Sequence, residues 1–120
     1  MQVNLHNVGS NQFTSYSTNS VTIGGQEYQY NIIVTNHNIE ACNISDIKQL
    51  NCNDLDCIIS DAPDLIIFGT GNRIIYPDIK IMQYLQSKNI GVEIMQIPAL
   101  CRTFNFLISE DRKVACVILF

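Results

Sequence analysis

Pro63-Asp64-Leu65-Ile66-Ile67-Phe68-Gly69-Thr70-Gly71 is the stretch on which the reading of this chain turns. An apolar run from Leu65 to Phe68, followed by two glycines around a threonine, predicts a buried strand that ends in a sharp turn. Val92-Glu93-Ile94-Met95 repeats the arrangement and runs into Gln96-Ile97-Pro98-Ala99-Leu100-Cys101-Arg102-Thr103-Phe104-Asn105. Between them, Pro77 and Asp78 open a helix in which Ile79, Met82 and Leu85 share a face, flanked by Ile81 and Tyr84. Lys88, Asn89 and Gly91 stop it. Strand, helix and strand predict a parallel pair, whose two outgoing loops share the carboxyl edge of a sheet. That edge is where open α/β sheets hold ligands.

Outward from this unit, Pro98 opens a second helix, with Leu100, Phe104, Leu107 and Ile108 along one stripe. A turn at Asp111-Arg112 leads into residues 113–120, a largely apolar last strand. The short connection predicts that this strand runs against the others. The first half is β-rich. Val21 and Ile23 alternate up to Gly24-Gly25, a tight hairpin turn, and residues 28–34 continue as one strand. Asn36-His37-Asn38 reads as a loop, and a short extended piece follows at 41–44. Asn53 is expected to cap a helix over 54–60, with Asp54 and Asp56 at its positive end. Nothing in the composition divides the chain, so residues 1–120 are expected to form a single domain.

Composition excludes some function classes. Charged residues make up 15% of the chain against roughly 25% in typical soluble domains, and the net charge is -4. No basic stripe is present to displace counterions from phosphates, which argues against a nucleic-acid partner. The abundant asparagine and isoleucine read as a bias of the encoding genome. No apolar run nears the roughly 18 residues that cross a bilayer, and no secretory or mitochondrial leader pattern is seen. A cytoplasmic location without membrane insertion is the expectation. Five cysteines, an odd number, suit reduced thiols. His37, Cys42, Cys52 and Cys57 are spaced by four, nine and four residues, which matches no zinc-finger pattern, so no metal site is expected.

The candidate binding edge comprises Gly69, Thr70, Gly71 and Arg73 from the first loop, and Cys101, Arg102, Thr103 and Asn105 from the second. Glycines let the backbone turn and present N–H groups to an anion, and Arg73 supplies charge. The spacing lacks both the third glycine of a dinucleotide loop and the Gly-Lys-Ser/Thr of a phosphate loop, so no cofactor is assigned. Cys101, in the first turn of a helix, would gain thiolate character from the helix dipole. Catalysis would also need a base, and the chain's two histidines, His6 and His37, both lie in the β-rich half. A small buried residue is the plainer reading of Cys101. Arg102 offers a fork of donors for a carboxylate or phosphate, or else an internal partner for Glu110. Thr103 and Asn105 either join that site or satisfy nearby carbonyls. No catalytic residue is assigned.

The ordered set Gly69-Thr70-Gly71, Gly91-Val92-Glu93-Ile94-Met95, Cys101-Arg102-Thr103-Phe104-Asn105-Phe106-Leu107, Glu110-Asp111-Arg112 and Val114-Ala115-Cys116-Val117-Ile118-Leu119 resembles one small family. Its members include mitochondrial complex I assembly factor 3, the adipogenesis-associated domain protein, and many uncharacterised bacterial and archaeal proteins. The likeness is ordered over 63–120 and looser from 13 to 34. The chain departs from the family pattern at Gln96 and Ile97, at Leu100, and in having no tryptophan.

The resemblance implies a three-layer α/β domain with a central mixed sheet, its last strand antiparallel, plus an N-terminal β-hairpin. It also implies an interaction or assembly-accessory role without catalysis, with protein partners such as respiratory-complex subunits. The rival expectation is a small-molecule or anion-binding protein, or an enzyme, using the two loops.

Overall fold

The apolar runs of the second half all become strands of one sheet. The structure, a computed structural model, describes residues 10–71 and 73–120. Strands β1 (Phe13–Tyr16), β2 (Val21–Ile23) and β3 (Gln26–Tyr28) form a small antiparallel sheet. Strands β4 (Ile32–Val34), β5 (Ile39–Ala41), β6 (Leu65–Thr70), β7 (Gly91–Met95) and β8 (Val114–Leu119) form the larger one, in the order β5-β4-β8-β6-β7. Helices α1 (Asp56–Ile59), α2 (Ile79–Ser87) and α3 (Ile97–Ser109) pack on its faces.

The last strand, β8, lies in the middle of this sheet. It runs antiparallel to β4, but parallel to β6, pairing Leu65 with Val114 and Thr70 with Leu119. The expectation that it would oppose the α/β strands is corrected on that side. The true connection from β7 is the whole of α3, and a helix of that length carries the chain back to the edge where β7 began. Only the turn after the helix is short.

Alternation along the strands sorts side chains into two cores. Ile67, Cys116 and Ile118 face α3 and the small sheet. Ile66, Phe68, Val117 and Leu119 face α1, α2 and the 3₁₀ turns Ile47–Gln49 and Cys52–Leu55. The result is three layers, with a mixed sheet between. Gly69 belongs to the α3 face, where a Cβ would sit 2.8 Å from Leu100 Cδ1 and 3.4 Å from Ile97 Cγ1. Its bare backbone is what lets the helix close on the strand.

Several local expectations shift. The Gly24-Gly25 hairpin forms as read, with both glycines at positive φ (59° and 83°) and Ile23 opposite Gln26. Residues 28–34 do not form one strand: β3 and β4 belong to different sheets, and half-exposed Tyr30 lies in the bend between. Asn31 holds that bend, donating from Nδ2 to Ile44 O at 2.7 Å and accepting from Phe120 N at 2.8 Å. The segment over 54–60 divides into the 3₁₀ turn and α1, and Asn51 replaces Asn53 at its start, its N–H donating to Asp54 Oδ2 at 2.8 Å. α2 begins at Ile79 with Asp78 as its cap, two residues later than Pro77. Its buried face is therefore Ile81 and Leu85, four apart, and Ile79 is left exposed.

Asparagines tie the layers together. Asn36 Oδ1 accepts from Val114 N at 3.3 Å, so Asn36 and Asn31 bracket the two ends of β8. Asn105 on α3 accepts from Phe13 N and donates to Phe13 O, both at 2.8 Å, as a neighbouring strand would. Phe13 also meets Phe104 edge to face, with ring centroids 5.2 Å apart. This pair of contacts fastens β1 to α3.

Asn105→Ala removes both hydrogen bonds and leaves two backbone groups of Phe13 without partners, a loss of about 1–3 kcal/mol. Asn105→Asp should not rescue it, because a second oxygen would face the Phe13 carbonyl. Urea midpoints of the two variants against wild type measure the effect.

Candidate functional site

Because β6, β7 and β8 are parallel, their carboxyl ends lie along one edge: Gly69 is level with Met95, and Thr70 with Leu119. The two loops read from the sequence do meet there. Gly71 O accepts from Ile97 N at 3.4 Å, the first residue of α3. From that point they diverge.

Gly69, Thr70, Gly71 and Arg73 stay at the rim, in a closed turn. The Thr70 hydroxyl donates to Arg73 O and accepts from Ile75 N at 3.1 Å, while Arg73 N donates back to Thr70 O at 3.4 Å. Gly71 takes the left-handed φ of 68° that this turn needs. The Arg73 side chain is exposed. Cys101, Arg102, Thr103 and Asn105 lie along α3, on the opposite face of the sheet from the Thr70 side chain. At 1.5 Å per residue, Thr103 is roughly 9 Å along the helix from Ile97. Arg102 is exposed, Thr103 is half-buried, and Asn105 is engaged with Phe13. The structure therefore brings the first four together at the rim and disperses the other four along α3.

Cys101 is fully buried, packed in the core with Cys116. Burial pushes its thiol up to about 12, and the Arg102 charge offsets that only in part. The first-turn position expected for it is corrected as well: α3 starts at Ile97, so Cys101 is its fifth residue, and desolvation decides its protonation. Cys57 is also raised, to about 11, by burial first and then by the Glu40 carboxylate that it faces. Of the four-residue His/Cys set, Cys42 and Cys57 line a cavity of about 190 Å³ with Glu40 and Asp54. His37 and Cys52 are not part of that lining. Among the described residues, no cluster of three or more His, Cys, Asp or Glu side chains is placed to hold a metal. His6 lies outside the described residues.

The rim also carries a cavity of about 260 Å³ that sequence reasoning missed. Ser45, Asp46, Ile47, Thr70, Ile75, Leu119 and Phe120 line it. Only Thr70 belongs to the edge named from the sequence. Leu119 and Phe120 come from the end of β8 and Ile75 from the turn after β6, while the 3₁₀ turn places Ser45, Asp46 and Ile47: Asp46 caps it, with Oδ1 accepting from Lys48 N at 2.9 Å, and Ile47 is thereby turned into the core. The local signal available was Ser45-Asp46 itself, a pair of residue types that turn the chain by accepting from the backbone two residues on.

Burial of the Cys101 thiol makes the stability of the fold depend on pH. Unfolded, the thiol ionises near its ordinary value of 9.0; folded, it holds its proton up to about 12. The stability it contributes is complete below about pH 9 and declines as pH rises toward 12. Denaturation midpoints across that window should fall less steeply for Cys101→Ala than for wild type. Equal slopes would mean that the thiol ionises alike in both states.

Comparison with known proteins agrees with this fold. The 13 kDa major membrane protein of Francisella tularensis subsp. holarctica is 32% identical over 76 residues, 63% of this chain and 62% of that protein. NADH dehydrogenase (ubiquinone) 1 alpha subcomplex assembly factor 3 of Xenopus tropicalis is 28% identical over 107 residues, 88% of this chain and 58% of that protein. The chain thus spans less than two thirds of the length of either relative. An NMR structure of a Xanthomonas campestris protein superposes with a TM-score of 0.83 at 25% identity, covering 92% of this chain and 84% of that one. Residues 13–119 match the family described as proteins of unknown function, DUF498/DUF598, and this chain belongs to that family.

Proposed function

We propose that this chain is a non-enzymatic interaction domain that accompanies the assembly of a respiratory complex. The observation that carries this reading is the similarity to complex I assembly factor 3 across 88% of the chain. An exposed apolar segment supports it: Ile74, Tyr76 and Ile79 are each more than half exposed, between the β6 rim and the start of α2. Such groups on a protein surface suit a protein partner better than they suit water. The docking edge in this reading is the rim of Gly69, Thr70, Gly71 and Arg73 with that segment, while Arg102 and Thr103 extend it along α3. Cys101 and Asn105 serve the fold.

The same proposal takes residues 1–120 as one unit, places the protein in the cytoplasm, and gives it respiratory-complex subunits rather than nucleic acid as partners. Among the described residues, no helix is long and apolar enough to cross a membrane. A second reading, ligand binding at the rim, is favoured by the cavity beside Thr70.

Affinity capture from detergent-solubilised membranes of the encoding organism tests the first reading. Respiratory-complex subunits should be recovered with the wild-type protein. Affinity should drop about thirtyfold or more with Ile74→Asp/Ile79→Asp, since exposed apolar anchors contribute about 1–2 kcal/mol each. Consistent absence of those subunits counts against the assembly role.

A further inference from the structure

The rim cavity has the opposite electrostatic character to an anion site. Among the described residues of its lining, Asp46 is the one charged residue, and neither lysine, arginine nor histidine contributes. The Asp46 carboxylate uses one oxygen to cap the 3₁₀ turn, through Lys48 N, and its other oxygen takes no hydrogen bond from the described residues. The hydroxyl proton of Thr70 is committed to Arg73 O, so Thr70 does not donate to a bound anion. Arg73 itself is exposed on the neighbouring turn, outside the lining.

Burial gives the cavity a direction. Ile47 and Leu119 are buried at its base, with half-buried Ile75 beside them, whereas Ser45 and Asp46 are exposed and stand at its mouth. An occupant therefore enters with an apolar group and leaves a cationic group at the opening. The volume of about 260 Å³ lies below the roughly 300–1,000 Å³ of sites that enclose whole ligands. It suits one large side chain better than a nucleotide.

We infer that this cavity is the socket for a partner-protein segment in which a large apolar side chain is followed directly by lysine or arginine. The apolar side chain seats against Ile47, Ile75 and Leu119, and the cation pairs with Asp46. This deepens the interaction reading and rests on it. It also extends the docking edge from the rim to the 3₁₀ turn, on the side of the sheet opposite α3.

Three short probes test the socket: N-acetyl-Leu-Lys-amide, and the same peptide with Gln or Glu in place of Lys. Each is titrated into isotope-labelled protein while amide shifts are followed. The Leu-Lys probe should give saturable shifts concentrated at Ser45–Ile47, Thr70, Ile75 and Leu119. Its affinity should exceed that of the Leu-Glu probe at least about fivefold, with the Gln probe between, and should fall by a similar factor in Asp46→Asn.

Asparagine keeps the acceptor for Lys48 N, so unchanged shifts elsewhere will confirm an intact fold. Equal binding of all three probes, shifts centred elsewhere, or no saturation into the tens of millimolar would each overturn the socket. The two proposals fail separately. Capture of respiratory subunits without probe binding removes the socket alone. Charge-selective probe binding without capture removes the assembly role and leaves the socket as a site for another partner.

Discussion

Everything in this fold is arranged around β8. All six of its residues are buried, it has a strand on either side, and alternate side chains enter each of the two cores. Such a strand can contribute to both cores only if its neighbours have been brought to it from distant parts of the chain. β4 reaches it antiparallel from the β-rich half, while β6 reaches it parallel from the α/β half. The match of lengths makes this possible. α3 has 13 residues, roughly 20 Å of helix, and a six-residue strand spans roughly the same distance. The helix therefore returns the chain to the opposite edge with little left over, and the strand fills the gap between β4 and β6.

The edges of that central strand need polar closure, and asparagine supplies it. Asn36 meets the first backbone N–H of β8, and Asn31 meets the N–H just beyond its last residue. Asn105 performs the same task for β1. An amide side chain carries a donor and an acceptor side by side, so it can stand in for a short piece of strand wherever regular pairing has run out. These contacts join residues that are far apart in sequence, which is why a reading of composition alone treats the asparagines as background.

The same sheet explains the character of the rim. Parallel strands align their carboxyl ends, so the turn after β6 and the start of α3 necessarily lie close together. Alternation then separates them: Gly69 faces α3, while Thr70 faces the other core and the cavity beside it. A single residue along the strand is the difference between the two faces. The surface that remains open combines apolar Ile74, Tyr76 and Ile79 with the carboxylate at Asp46, a chemistry suited to protein contact.

Periodicity and turn chemistry were enough to establish the β–α–β unit, the stripe along α3, the hairpin at Gly24-Gly25, and the shared edge of the two loops. These depend on neighbours a few residues apart, and on the geometry of a parallel pair. The direction of β8 relative to β6, the break at Tyr30 and the rotated face of α2 did not follow from local pattern. Each was decided by packing that local pattern does not carry: α3 as a crossover, Asn31 as a bridge, Pro77 buried ahead of the helix. The same holds for the site. The sequence by itself placed Thr70 and Cys101 near one rim, because spacing along a strand and a helix is local. Only tertiary structure set the sheet between them, buried the thiol, and brought Asp46 to Thr70, because burial and the juxtaposition of remote segments are properties of the packed molecule.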